Sequence, residues 1–525
     1  MRSAGPRTTI PRFEARDWDV TLRRKILRSV RNKEMNVDII TQTDFAAAIE
    51  ASYHCPGAAR VAGLVNRIRE QNPTGTLFLD AGDVLCGAPI ANLTDGAPVI
   101  DLLGRMGVDA MTLGNHEFDH GRETMERVLG RAAFPILCAN ILDEATQRVL
   151  PFAAPYVLLA RAGLKIGVIG VTTAYTPYMV RADRFTGYTV LPPAQALQTW
   201  APVVREKGAD IVIALTHLPG TAAPDGRCTG ELFDTADAAP GVDVMIGGHN
   251  AGSIACVRGE TVFAKAGFSA GQLAHIRLRL DENRRIVARD VQIYDMMECA
   301  KELPPPDGAI QRAVDAVMAP YRPALNEPLA HLSKCLRVDR NGECALGNFY
   351  TDGLREAAGA PVGLFNTTSI FGFMPAGTVT AEMVTHVMCF DEEIYAGDMT
   401  GEQLYRLFER TYEREHWKNN WSLQFSGVRA VVDTRRPEGE RVVSLRLEDG
   451  TPIWRRTRVR VATTDYIAMG GNDYRDITSL TDWENTHVRT HAFFVDFLRR
   501  RGAIPEATDG RMRNLDPAWP DDKRA

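Results

Sequence analysis

The feature that most constrains this chain is a pair of apolar runs, each ending in a cluster of metal-ligand and proton-transfer side chains. Residues 76–79 lead into Asp80-Ala81-Gly82-Asp83, and residues 110–113 lead into Gly114-Asn115-His116-Glu117-Phe118-Asp119. Both runs are short, β-prone and bounded by glycine, which suits buried strands. Between them Val99, Ile100, Leu102, Leu103 and Met106 recur with a helical period. Strand, helix and strand make a βαβ unit, and in open parallel sheets ligand groups collect beyond the carboxyl ends of strands. Asp, Asn and His at that place are the ingredients of a site for a hard or borderline metal.

The pattern recurs along the chain. Residues 37–42 read as a strand ending at Thr43-Asp44-Phe45-Ala46, residues 211–215 as one ending at Thr216-His217, and residues 242–246 as one ending at Gly247-Gly248-His249-Asn250. Residues 58–71 present Val61, Leu64, Val65 and Ile68 on one helical face. Residues 164–171 are a strongly apolar strand, 194–207 a helix, and 261–265 and 273–280 read as closing strands of a second sheet. Pro304-Pro305-Pro306 marks a boundary. Beyond it come a linker helix over 309–318, helices over 346–358 and 401–412, and strands over 421–427 and 459–463.

A chain of 525 residues is too long for one core, so two or three domains are expected. The expected boundaries are an extension over 1–36, a first domain over 37–302, a linker over 303–335 and a second domain over 336–525. In the extension Trp18, Val20, Leu22, Ile26, Leu27 and Val30 alternate with basic residues, which reads as a basic amphipathic helix packed on the surface. A net charge of −5 gives no field for a nucleic-acid polymer, and no apolar run reaches membrane-spanning length. Nine scattered cysteines without a CxxC pair argue against a zinc ribbon or a dense disulfide framework. Their odd number fits a reducing compartment. The first 33 residues lack an apolar signal core, so the expectation is cytoplasmic, or periplasmic or secreted if a signal has been removed.

GDxxxG followed by GNHEFD, with THLPG and GGHN further on, resembles the calcineurin-like metallophosphoesterases, and most of all the two-domain 5′-nucleotidase and UDP-sugar hydrolase family. The resemblance covers roughly residues 37 to 500. It implies an α/β fold: a four-layer αββα sandwich plus a smaller α/β C-terminal substrate-binding domain. It also implies two divalent ions (Mn, Zn, Mg or Fe) bridged by Asp83, with in-line attack of hydroxide on phosphorus. Asp83, Asn115, His217 and His249 match one metal site completely. The other would be Asp44, Asp83 and the positions of Ala46 and Ala251, where the family has ligands and this chain has methyl groups. By position His116 would contact the phosphate or leaving oxygen, with Asp119 orienting its imidazole.

In the second domain the family's NGGGIR-like loop is replaced by Asn366-Thr367-Thr368-Ser369-Ile370-Phe371. Phe371 cannot make the bidentate charged contact of the arginine it replaces. The segment from Asp465 to Tyr474 resembles NFxxxGGDGY, with Tyr466 in place of a base-stacking Phe and Asn472 in place of a ribose-binding Asp. Ser422 takes the second stacking position, with Trp421 beside it. These residues imply a nucleotide or related phosphorylated small molecule as partner. The chain is therefore expected to be a metal-dependent phosphoric ester hydrolase holding one or two ions. The alternatives are a repurposed one-metal enzyme acting on an unusual nucleoside derivative and a non-catalytic nucleotide-binding protein. His54 and Asn250, near the two alanines in sequence, are candidates to compensate for the missing ligands.

Overall fold

The computed structural model describes residues 35–223, 225–297, 303–340, 342–413, 416 and 422–516. The expected N-terminal helix and Trp421 lie outside these residues.

Strands β1 (Met35–Gln42), β2 (Thr76–Asp80), β3 (Ala110–Thr112) and β4 (Ile136–Leu137) run parallel side by side. Helices α1 (Ala58–Gln71) and α2 (Ala97–Met106) provide the crossovers. A second sheet holds β5 (Tyr156–Arg161), β6 (Leu164–Thr172), β7 (Ile211–His217), β8 (Val244–Gly247), β9 (Ile254–Arg258) and β10 (Thr261–Lys265), in the spatial order β9-β10-β8-β7-β6-β5.

The expectation for residues 273–280 needs correction. That segment is β11 (Gln272–Leu280), and it pairs antiparallel with β1 in the first sheet, Ile39 opposite Ile276. With β2 on one side only, β1 would otherwise leave its other row of amide and carbonyl groups unpaired, which a buried strand cannot tolerate. A further strand, β12 (Ile286–Asp295), covers β11 in turn.

Alternation along the strands sends Val37, Ile39, Leu77 and Leu79 inward to meet Ile166, Val168, Ile213, Leu215 and Ile246 of the second sheet. The opposite faces pack against helices: Ile40 and Phe78 against α1 and α2, Val212 and Ala214 against α3 (Pro193–Glu206). Helix, sheet, sheet, helix is the four-layer order the resemblance implied.

Helix α4 (Gly308–Met318), capped by the Asp307 carboxylate on the amides of Ala309 and Ile310, packs on α1 and α2. The chain then forms a second α/β unit with helices α5 (Ala345–Ala358), α6 (Ala381–Val387) and α7 (Gly401–Thr411). Its sheet contains β13 (Val362–Asn366), β14 (Glu393–Thr400), β15 (Leu423–Ser426), β16 (Arg458–Thr464) and β17 (Trp483–Arg489), in the order β15-β13-β16-β14-β17. The two units touch through cross-contacts: Tyr53 Oη donates to the Phe373 carbonyl at 3.0 Å, Asn92 Nδ2 to the Cys389 carbonyl at 3.2 Å, and Arg181 pairs with Asp465.

Candidate active site

Five strand ends converge on one point between the two sheets. β1 delivers Asp44, β2 delivers Asp83, β3 delivers Asn115 and His116, β7 ends on His217, and β8 leads to His249. Asp44, Asp83 and His249 all sit at positive φ, 48°, 59° and 75°. Non-glycine residues hold such angles at a cost of about 1–3 kcal/mol each, tolerated where the surrounding structure enforces them.

The glycines of the motifs explain how the backbones come so close. A Cβ on Gly114 would lie 2.1 Å from Asp83 Oδ1, and one on Gly248 would lie 2.3 Å from Thr43 Oγ1. Only a residue without a side chain fits either place.

His217 carries the clearest signature. Its Nδ1 lies 2.7 Å from the Ala81 carbonyl, which accepts only, so Nδ1 is the protonated nitrogen in the neutral ring. Nε2 then presents a lone pair, and it lies 2.9 Å from Asp83 Oδ2 and 4.0 Å from Asp44 Oδ1. Yet Nε2 is fully buried and has no partner of hydrogen-bond geometry. Lone pairs converging on a buried point call for a cation between them. The ligand atoms of Asp83, His217 and His249 all lie within 4.8 Å of one another, and His249 Nδ1 is 2.9 Å from Asn115 Oδ1. Two imidazoles, a carboxylate and an amide oxygen form a donor set for a borderline divalent ion, and the residues present fit one.

The electrostatics match. Burial alone would raise the Asp83 carboxyl, but the His217 and His116 imidazoles outweigh it and hold it below its ordinary range. Burial would lower His217, but Asp83 and Asp44 hold it up at about 9, so without an ion Nε2 carries a proton and an ion binds there in exchange for it. Burial, reinforced by His217, pushes His249 down to about 3, leaving that ring neutral.

The other half of the centre is different. Asp44 takes a hydrogen bond from Thr43 Oγ1 at 2.7 Å and one from the His249 amide at 3.0 Å, and burial raises its carboxyl to about 6 against the pull of His217. Neither candidate compensator joins it. Asn250 spends its Oδ1 on the Lys265 ammonium at 2.6 Å and the Gly220 amide at 3.0 Å. Lys265 Nζ also donates to the carbonyls of Gly220, Asn250 and Ala251. The loop that carries a metal ligand in the family is here tied down by a buried cation, because Asn250 and the carbonyls around it are its natural partners. His54 faces the other way, its ring stacked on His386 of the second unit at 3.6 Å between centroids.

His116 and Asp119 meet as expected, Nδ1 to Oδ2 at 2.8 Å. Burial works against the imidazolium, but Asp119 and Asp83 outweigh it and hold the group up at about 10. Phe390 of the second unit leans over the ring, 5.1 Å between centroids.

Three residues were not foreseen from sequence. Glu117, fully buried, accepts the amides of Asp83 at 3.0 Å, Val84 at 2.8 Å and Gly114 at 2.6 Å, and so locks both ligand loops together. It stands inside GNHEFD, where its carboxylate reads as one more candidate ligand until the amides are seen. Lys265 closes an ordinary apolar strand. Arg340 is half-buried, burial lowers its guanidinium, and its carbonyl accepts from Ser422 Oγ at 2.7 Å.

Of the second-unit residues, the structure unites three. Asn472 Nδ2 reaches Thr368 Oγ1 at 3.2 Å, Asn366 Nδ2 reaches the same oxygen at 2.7 Å, and Tyr466 Oη donates to Asn472 Oδ1 at 2.8 Å. Asn366 Oδ1 is buried without a partner. Tyr466 stands on the short helix Asp465–Ala468 rather than on a strand. Phe371 does not join this cluster: its ring packs edge-on to Phe268 at 5.6 Å and to His386 at 6.0 Å. Apolar burial between the units is the better environment for that ring. Ser422 is committed to Thr367 at 2.8 Å and to the Arg340 carbonyl at 2.7 Å.

Comparison with known proteins gives matches over both units. The calcineurin-like phosphoesterase family matches residues 53–252, and the 5′-nucleotidase C-terminal domain matches residues 328–478. The trifunctional nucleotide phosphoesterase protein YfkN of Bacillus subtilis is 25% identical over 515 residues, covering 88% of this chain and 34% of its own length. The snake venom 5′-nucleotidase of Naja atra is 24% identical over 502 residues, covering 87% and 92%. The crystal structure of a 5′-nucleotidase precursor from Thermus thermophilus superimposes with a TM-score of 0.80 at 24% identity, over 92% of this chain and 99% of that one.

Proposed function

From the premise that this chain belongs to the calcineurin-like phosphoesterases with a 5′-nucleotidase C-terminal domain, we propose that it hydrolyses the phosphate ester of a nucleotide or related phosphorylated small molecule, with one divalent ion held by Asp83, Asn115, His217 and His249. The observation that carries this reading is the buried His217 Nε2, unpartnered and aimed at Asp83 Oδ2 from 2.9 Å. A nitrogen-rich donor set favours zinc, manganese or iron over magnesium.

When bound, the ion would supply Lewis acidity, acidifying water and neutralising phosphate charge. The chain's own residues do the rest. Asp119 accepts the Nδ1 proton of His116 and fixes the ring, so that Nε2–H faces the ester. The imidazolium stabilises the charge that develops on the leaving oxygen and can hand it the Nε2 proton. Asn366, Tyr466 and Asn472 hold the substrate's far end through the polar cluster they already share.

A second ion is not part of this reading, because of the first half's four positions only Asp44 and the shared Asp83 offer ligands and Lys265 holds the neighbouring loop. The eight described cysteines are free, which supports a reducing compartment. No helix of the described residues is long and apolar enough to cross a membrane.

The test is phosphate release by metal-loaded protein from a panel of nucleoside phosphates and sugar phosphates. Release should fall about 10²–10⁴-fold in His116→Ala, the range for loss of a proton-transfer group. No release from any member of the panel overturns the reading in favour of a binding protein.

A further inference from the structure

A second cluster of metal-ligand side chains lies apart from the strand ends, where the two units meet. His54 comes from the loop between β1 and α1. Glu382 and His386 stand four residues apart on α6, on one face of that helix. The ligand atoms of all three lie within 4.8 Å of one another.

Both imidazoles carry a further mark of a ligand. His386 is 3% exposed, and its Nδ1 has no hydrogen-bond partner. Ser52 Oγ lies 2.8 Å from His54 Nδ1 and 3.3 Å from its Nε2, an outer contact that holds the ring beside Glu382 and His386. Tyr53 walls the cluster, edge-on to His54 at 4.7 Å and to His386 at 6.5 Å. The nearest outer carboxylate, Glu50, is already engaged by Arg322 at 2.6 Å. A buried His386 with an orphan nitrogen beside a carboxylate is costly as packing alone. None of the three takes part in the proposed hydrolysis.

We propose that His54, Glu382 and His386 form a separate divalent-metal site of the zinc class that clasps the second unit onto the first. Two nitrogens, one carboxylate oxygen and a water would complete a four-coordinate shell. Zinc–ligand bonds of about 2.0–2.1 Å place tetrahedral ligands roughly 3.4 Å apart, within reach of side-chain adjustments of about an ångström. Because the ligands come from both units, an ion there binds only the arrangement in which they meet. It stabilises that arrangement by mass action.

The experiment loads full-length His217→Ala, whose strand-end site is disabled, with Zn²⁺ or Co²⁺. One ion per chain should be retained after gel filtration, and Co²⁺ should give visible bands of a low-coordinate nitrogen–oxygen site. Zinc should slow amide exchange across residues 381–387. Adding His54→Ala or Glu382→Gln should remove the ion and this protection, and both variants keep the buried His386, whose loss could unfold α6. The proposal is overturned if His217→Ala binds no ion, or if the ion persists when both His54→Ala and Glu382→Gln are added. Wild-type loading of the strand-end site would survive either failure, so the hydrolase reading is judged separately.

Discussion

The two halves of the strand-end centre face each other across a few ångströms, yet they are built differently. One half gathers Asp83, Asn115, His217 and His249, with the buried His217 Nε2 facing Asp83 Oδ2 outside hydrogen-bond geometry. The other keeps Asp44 among methyl groups, with the adjacent loop pinned by Lys265. The strain is common to both, since Asp44, Ala46, Asp83 and His249 all hold positive φ. Positive φ thus extends to the half where only Asp44 and the shared Asp83 offer ligands. The Lys265 ammonium, which burial lowers to about 8 against the pull of Asp44, brings a fixed positive charge to the side that lacks them.

The sharpest way to break this contrast is to remove one ligand from each half. His217→Ala should abolish bound metal at the centre and cut turnover by at least about 10³-fold, the scale of losing a main electrostatic stabiliser. Asp44→Asn should cost about 10-fold and leave the ion count unchanged, the scale of an outer contact. Equal losses, read by steady-state kinetics and elemental analysis, would mean that both halves bind metal.

Glu117 joins the loops of the complete half, and its three charge-assisted amide bonds are the strongest in the site. Glu117→Gln puts an amide donor where those backbone donors point. It should destabilise the protein by about 2–3 kcal/mol in denaturant unfolding and weaken metal binding. Lys265→Met tests the other half: it strands the carbonyls of Gly220, Asn250 and Ala251 and should cost about 1–3 kcal/mol while the His217 site still loads. Loss of the ion in Lys265→Met would show that the halves are not independent.

The smallest effect is expected at the far end of β1. Burial would raise the Asp38 carboxyl, but hydrogen bonds from His275 at 2.7 Å and Asn72 at 2.7 Å outweigh it and lower it from the ordinary 3.8. A carboxyl lowered on folding contributes stability that is fully present above pH 3.8 and is lost as the pH falls through the folded value. Asp38→Asn should therefore reduce stability above pH 3.8, with the difference from wild type shrinking on further acidification. Melting temperature against pH measures this, and a difference that grows toward acid would refute the assignment.

Much of the architecture follows from local pattern. Apolar runs bounded by glycine become the buried parallel strands, and Val61, Leu64, Val65 and Ile68 place α1 on its sheet. Each ligand's position past a strand end was legible because strand polarity fixes which end opens toward the site. The place of β11 was not legible, because pairing with β1 depends on which edge is open, a property of the assembled sheet. Nor was the fate of Asn250 and His54. Proximity in sequence suggested repair of the metal site, but side-chain direction sends one to Lys265 and the other to His386. Phe371 follows the same rule, its ring drawn into the contact between units rather than toward Asn366.

By itself, then, the sequence determined most of the element types and the residues able to ligate, because periodicity and chemistry are local, while the layer order was what the family resemblance implied. Tertiary structure decided which donors converge, which carboxylate binds amides instead of metal, and which histidines meet across two units. Those outcomes turn on distances of a few ångströms between segments that can be hundreds of residues apart, as His54 and His386 are.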